Sequence, residues 1–234
     1  MNNSVKLFCI PYAGGSEYFY SQWLTKFDRN IKVIPILLKG RNARYNLKCQ
    51  SFNEMIEDVF TQITETASSE EEIALFGHSM GGILSYEVSK KLEVAGYNLK
   101  HIFLSGINHP NDMKPVEEKC IEDENYLIQR LLDLGGVQDE FLENKEAREY
   151  FFRIIKHDFL LIEEYKKSDK VLKPLYTPVS ILNGIDDKSI VSEQNAYDAL
   201  SYKEILFYTF SGDHFYLNQH LDELIHLIKK SLVA

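Results

Sequence analysis

Gly77-His78-Ser79-Met80-Gly81-Gly82 matches the pattern G-x-S-x-G. A serine hydroxyl is too weak an acid to attack a carbonyl unaided. Such chemistry needs a base to take the proton and an acid to orient the base. Glycine and serine are common, so the motif depends on its context. Here an apolar run at 73–76 leads in and a helical pattern from Met80 leads out. That is the strand–turn–helix that holds such a serine on a sharp, strained turn. Gly77 and Gly81 suit it because a side chain at either place would collide with neighbouring backbone. The helix N-terminus beneath Ser79 favours negative charge at the site. The competing reading is a purely structural turn. His78 reads as a packing neighbour, because adjacent residues on such a turn point in different directions.

The base should follow the acid, and the acid the serine, along the chain. Of the seven histidines, His214, His220 and His226 come after the last strand candidate. His220 and His226 fall on a terminal helical pattern, where a solvated or packed histidine is the simpler reading. His214 lies in Ser211-Gly212-Asp213-His214-Phe215, a loop directly after an apolar run, and is the expected base. For the acid, the run 179–182 ends in Asn183-Gly184-Ile185-Asp186-Asp187. Either Asp186 or Asp187 could reach His214, and spacing alone leaves the choice open. Asp213, next to the base, is poorly placed to hold it.

Acyl transfer also needs fixed backbone N–H groups for the oxyanion. One should come from Met80, just after the serine, and the other from a glycine-bearing loop after an early strand. Pro11-Tyr12-Ala13-Gly14-Gly15-Ser16 is that loop, and Ala13 the expected donor. The alternative is a plain turn leading into a helix at Ser16. Dinucleotide binding is the weaker reading, since G-x-G-x-x-G is absent.

These residues require a frame. Apolar runs at 7–10, 33–38, 73–76, 102–104, 179–182 and 205–208 are continuous, as in strands of a sheet covered on both faces. Helical patterns at 52–67, 80–95 and 220–233 alternate with them. Strand–helix alternation predicts βαβ units and a mostly parallel sheet. With the elbow, this is an α/β class chain of the α/β-hydrolase fold, one domain over 1–234. Residues from about 111 to 173 hold no strand, but helical patterns at 126–134 and 145–167 separated by Gly135-Gly136. So long a crossover predicts a helical cap, or lid, over the carboxyl edge of the sheet. Peripheral helices are the plainer alternative.

Composition excludes other classes. The net charge of −9 disfavours a general nucleic-acid binder. The basic run in 39–48 (Lys39, Arg41, Arg44 and Lys48) is the exception. It is either a local positive patch on the carboxyl edge or a solvated loop with Arg41 or Arg44 in an internal salt bridge. Cys9, Cys49 and Cys120 are too few and too scattered for a disulfide framework or a structural zinc site. The expectation is a reducing cytoplasm and no metal. The N-terminus lacks signal-peptide features and no apolar run is long enough to span a membrane.

Taken together, the motifs resemble those of type II thioesterases, the free-standing editing enzymes of nonribosomal peptide and polyketide synthases. The resemblance is carried by Pro-Tyr-Ala-Gly-Gly-Ser at 11–16, Trp23, Gly-Arg-x-x-Arg at 40–44 and Gly-His-Ser-Met-Gly-Gly at 77–82. It continues in Lys156-His157-Asp158-Phe159 with Tyr165, Asn-Gly-x-Asp-Asp at 183–187 and Gly-x-His-Phe at 212–215. Departures are Lys39 where the family has proline, Lys156-His157 in the cap motif, and Ser105-Gly106-Ile107-Asn108-His109, which lacks the family's basic residues. The family pattern implies Asp187 as the acid. It further implies hydrolysis of acyl thioesters carried on the phosphopantetheine arm of acyl or peptidyl carrier proteins. No cofactor of the enzyme's own and a monomer are expected. The alternatives are a carboxylesterase or lipase acting on small-molecule oxygen esters, and a non-catalytic ligand receptor on the same fold.

Overall fold

A computed structural model describes residues 4–133, 144–169 and 172–233. The Gly135-Gly136 separator lies outside the described residues. Six strands form one sheet: β1 (Val5–Ile10), β2 (Ile31–Pro35), β3 (Ile73–His78), β4 (Leu99–Ser105), β5 (Val179–Gly184) and β6 (Ile205–Phe210). Their spatial order is β2-β1-β3-β4-β5-β6, and every pairing is parallel. The described helices are α1 (Phe52–Thr66), α2 (Met80–Val94), α3 (Glu118–Glu122), α4 (Glu124–Asp133), α5 (Lys145–Lys167) and α6 (Leu221–Val233).

The continuous apolar runs have a simple cause. Neighbouring strand residues point to opposite faces, and both faces are buried. Phe8, Ile10, Leu75, Ile102 and Ile181 pack with α1 and α2. Leu7, Cys9, Ala74, Phe76 and Phe103 pack on the other face with Tyr20, Trp23 and α6. β6, at the edge, is covered less, and Leu206 is exposed.

β2 ends at Pro35, short of the apolar run that continues to Leu38. Past it the Ile36 amide still donates to the Cys9 carbonyl at 2.9 Å, and the nitrogen of Pro35 faces the open edge of the sheet, where a proline costs no ladder bond. Ile36 and Leu38 are still buried, as loop residues filling the core. Of two 3-10 segments, Glu17–Thr25 begins at the helix start after Ser16 that the sequence offers as an alternative, and Gln194–Leu200 has no counterpart among its helical patterns. Each buries only two residues, Tyr20 and Trp23 in the first, Tyr197 and Leu200 in the second. So sparse an apolar set leaves no 3.6-residue stripe to read.

The chain runs outward from β1 to β2 on one side and from β3 to β6 on the other, so the direction switches between β1 and β3. In open parallel sheets such a switch opens a crevice at the carboxyl ends of the two strands. The 11–16 loop leaves β1 there and Ser79 leaves β3 there. Between β4 and β5 stand α3, α4 and α5. No described helix is long and apolar enough to cross a membrane.

Candidate active site

Ser79 is one of two non-glycine residues with positive φ among the described residues, at φ 54° and ψ −120°. Such backbone is strained for an L-residue and persists only where its surroundings enforce it. The surroundings here are tight. A β-carbon at Gly77 would meet the Gly81 carbonyl, and one at Gly81 would meet the Ile10 carbonyl. The Ser79 amide donates to the Ser105 carbonyl at 2.8 Å, tying the turn to β4. The elbow therefore sits pressed between the ends of β1 and β4.

His214 and Asp187 arrive from loops at the same edge. His214 Nδ1 lies 2.6 Å from Asp187 Oδ2, with both side chains buried. Burial by itself would raise the Asp187 carboxyl. The His214 hydrogen bond and charge and the Ser189 hydrogen bonds outweigh it, leaving the group below its ordinary value. Asp186, the neighbouring candidate, is exposed.

Ser79, Met80 and His214 border one cavity of about 220 Å³, walled by Ile83, Ile107 and Phe159. Phe159 belongs to α5, so the segment between β4 and β5 supplies part of that wall. Ala13 is buried in the 11–16 loop, whose Pro11 carbonyl a β-carbon at Gly81 would also crowd. That contact brings the loop against the elbow. Tyr12 extends it toward the histidine, its ring edge-on to Phe215 at 4.8 Å. A larger open groove of about 710 Å³ runs between α1 and α2, past Phe60 and Lys91, and does not include Ser79.

His78 is fully buried, its ring centroid 4.8 Å from that of His214. Its Nδ1 pairs with Ser105 Oγ at 2.9 Å, which in turn pairs with the Tyr216 hydroxyl at 2.7 Å. Burial, then the nearby His214 charge, holds it well below the ordinary histidine range. A neutral ring packed behind the site is what the elbow geometry suggests. His226 is exposed on α6, and His220 pairs with Ser211 Oγ and Glu223. Cys9, Cys49 and Cys120 are free and buried. Among the described residues no cluster of His, Cys, Asp and Glu is placed to hold a metal.

Three features of the site have partners that the sequence does not name, although an internal salt bridge of Arg41 or Arg44 is one of its two readings of the basic run. The first is an ion pair joining residues 117 positions apart, Arg41 and Asp158 of α5. Arg41 Nε also donates to the Gly15 carbonyl at 2.6 Å, and the Gly14 amide donates to Asp158 Oδ2 at 2.7 Å. The pair thus pins the 11–16 loop to α5. Burial pushes the Asp158 carboxyl up, against the pull of Arg41. Removing one partner would strand the other charge in the interior. We expect Asp158→Ala to lose about 3–5 kcal/mol of unfolding free energy, measured by denaturant titration. A loss below about 1 kcal/mol would show that water reaches Arg41. The second feature concerns the basic run. Arg44 forks onto Asp58 at 2.8 and 2.5 Å, and Lys39 lies 3.6 Å from the same carboxylate. With Arg41 buried as well, internal salt bridges neutralise most of the positive patch. The third is Ser189, which contacts both Asp187 and His214.

Residues 5–232 match the Thioesterase domain family. The medium-chain S-acyl fatty acid synthase thioesterase of Anas platyrhynchos is 32% identical, over 99% of this chain and 93% of its own. The gramicidin S biosynthesis protein GrsT of Aneurinibacillus migulanus is 27% identical, over 97% of this chain and 89% of its own. Among solved structures, the type II thioesterase BorB from the borrelidin biosynthetic cluster superposes with a TM-score of 0.86 at 26% identity. That match covers 98% of this chain and 93% of BorB. ClbQ from the colibactin NRPS/PKS pathway gives 0.87 at 25% identity, over 98% of this chain and 97% of its own.

Proposed function

The chain belongs to the thioesterase domain family, and from that premise we propose that it is an editing thioesterase of nonribosomal peptide or polyketide assembly. It releases acyl groups held as thioesters on the phosphopantetheine arm of carrier proteins. Ser79, Asp187 and His214 form its catalytic triad. The observation that carries this reading is the single cavity bordered by Ser79 on its strained turn and by His214, whose Nδ1 lies 2.6 Å from Asp187. The likeness to enzymes named for gramicidin S and borrelidin biosynthesis supports the substrate class.

The steps follow from the atoms. With Nδ1 engaged by Asp187, Nε2 is the nitrogen left to take the Ser79 proton. Ser79 Oγ attacks the thioester carbonyl, and the Ala13 and Met80 amides hold the oxyanion. The C–S bond breaks, and His214 returns the proton to the departing thiol. Water then attacks the acyl-serine ester with His214 as base, releasing the acid and free Ser79. No cofactor of the enzyme's own enters any step. The α3–α5 segment acts as a lid, shaping the acyl pocket with Phe159 and Ile162. The enzyme works as a monomer.

The test compares an acylated holo-carrier protein with an oxygen ester of the same acyl group. We expect kcat/KM on the carrier thioester to exceed that on the ester by at least about 100-fold, because remote contacts with carrier and arm contribute only to the first. Equal or better turnover of the free ester would favour a carboxylesterase. Binding without turnover of either would favour a ligand receptor.

A further inference from the structure

We propose that Ser189 is a positioning residue of this site, fixing the Asp187 carboxylate and the His214 tautomer through its amide and hydroxyl. The inference rests on the triad reading above. Asp187 shows Oδ2 to His214 and leaves Oδ1 for other partners. Ser189 supplies two, its amide at 2.9 Å and its hydroxyl at 2.6 Å, both on Oδ1. The last torsion of an aspartate is broad, so a carboxylate held through one oxygen can swing. Two donors on the second oxygen stop that motion, and bonds to a charged acceptor are the strong kind.

Ser189 Oγ also lies 3.3 Å from His214 Nδ1. A hydroxyl has one proton and two lone pairs. With its proton given to Asp187, a lone pair is left for Nδ1. Both oxygens around Nδ1 then accept, which requires the ring proton to sit there. Nε2 is left unprotonated, in the form a general base needs.

Ser189 is itself held in place. Its carbonyl accepts from Asn108 Nδ2 at 2.8 Å. Asn108 Oδ1 in turn accepts the Val191 amide at 2.6 Å and the Ser192 amide at 3.1 Å. Asn108 follows β4, the strand that also accepts the Ser79 amide. One strand end therefore fixes both the nucleophile's turn and the acid's loop, and Ser189 is the link from that loop to the reacting groups. Ser189 borders the cavity with Ser79 and His214.

The experiment compares Ser189→Ala, Ser189→Thr and Ser189→Cys with Asp187→Asn on one acyl thioester, alongside thermal unfolding and proton NMR of the His214 Nδ1–H. Ser189→Ala is expected to lower kcat roughly tenfold or more with KM unchanged, since it loses a hydrogen bond to a charged group and keeps the amide. Its low-field Nδ1 proton resonance should shift upfield or broaden. Thr should restore both rate and resonance. Cys, similar in size but a weak donor, should behave as Ala does even if Ala lowers the unfolding midpoint. Wild-type kcat in Ser189→Ala, or a loss that Thr does not rescue, overturns the proposal. If Asp187→Asn is crippled while Ser189→Ala is not, Ser189 alone falls. If Asp187→Asn keeps wild-type rates, the triad reading itself falls.

Discussion

Ser79→Ala should leave a folded protein that turns over thioester at least ~10⁴-fold more slowly than wild type. A residual rate above that of water is expected, since the oxyanion donors survive. The stability side of this experiment is equally specific. The strain at φ 54° belongs to the backbone of position 79 and not to the hydroxyl. Alanine has to adopt the same conformation, so its unfolding midpoint should match that of serine. Glycine, which enters positive φ without steric cost, should unfold at a higher temperature than alanine at this position. A Ser79→Ala enzyme with more than a few per cent of wild-type kcat would remove Ser79 from the nucleophile's role. A glycine variant no more stable than alanine would show that the turn is not held under strain.

The frame of this site could be read from the chain because its signals are local. Strands buried on both faces produce unbroken runs such as Ile73-Ala-Leu-Phe76, and the elbow motif is contiguous in the sequence between a strand run and a helical pattern. Even the helix ends were close. The structure adds the cap of α1, Ser51 Oγ accepting the Glu54 amide at 3.1 Å. What escaped the sequence depends on distant partners. Nothing near Arg41 names Asp158 on α5 as its partner, and a run of four basic residues reads equally as a patch or as internally paired until Asp58 is seen between Arg44 and Lys39. Ser189 is one serine among many until the loop after β5 folds back and puts it on Asp187.

The choice between Asp186 and Asp187 shows the same divide, and it leads to a sharp contrast. The two residues are adjacent, acidic and on one turn, so no pattern of residue types separates them. Backbone direction does. The Asp186 amide donates to the Gly212 carbonyl at 2.9 Å, while its side chain is exposed. The next residue along turns inward onto His214. Asp187→Asn would place an amide opposite Nδ1, and an amide that presents its NH₂ there favours the tautomer with the proton on Nε2. That tautomer cannot accept the Ser79 proton. Loss of the charge also removes support for the imidazolium that forms in the transition state. Together these should lower kcat by on the order of 10²- to 10⁴-fold. Asp186→Asn changes one solvated charge and should stay within about twofold of wild type, as surface changes do. The pH dependence of stability should separate the two as well. The Asp187 carboxyl is held below its ordinary value in the folded protein. Its contribution to stability is therefore complete above the unfolded pKa, roughly 4 for aspartate, and fades as pH falls through the lower folded value. Asp187→Asn should flatten that acid limb, and Asp186→Asn should leave it unchanged. If Asp186→Asn proves the crippling change, the turn after β5 is displaced by one residue from the geometry described above.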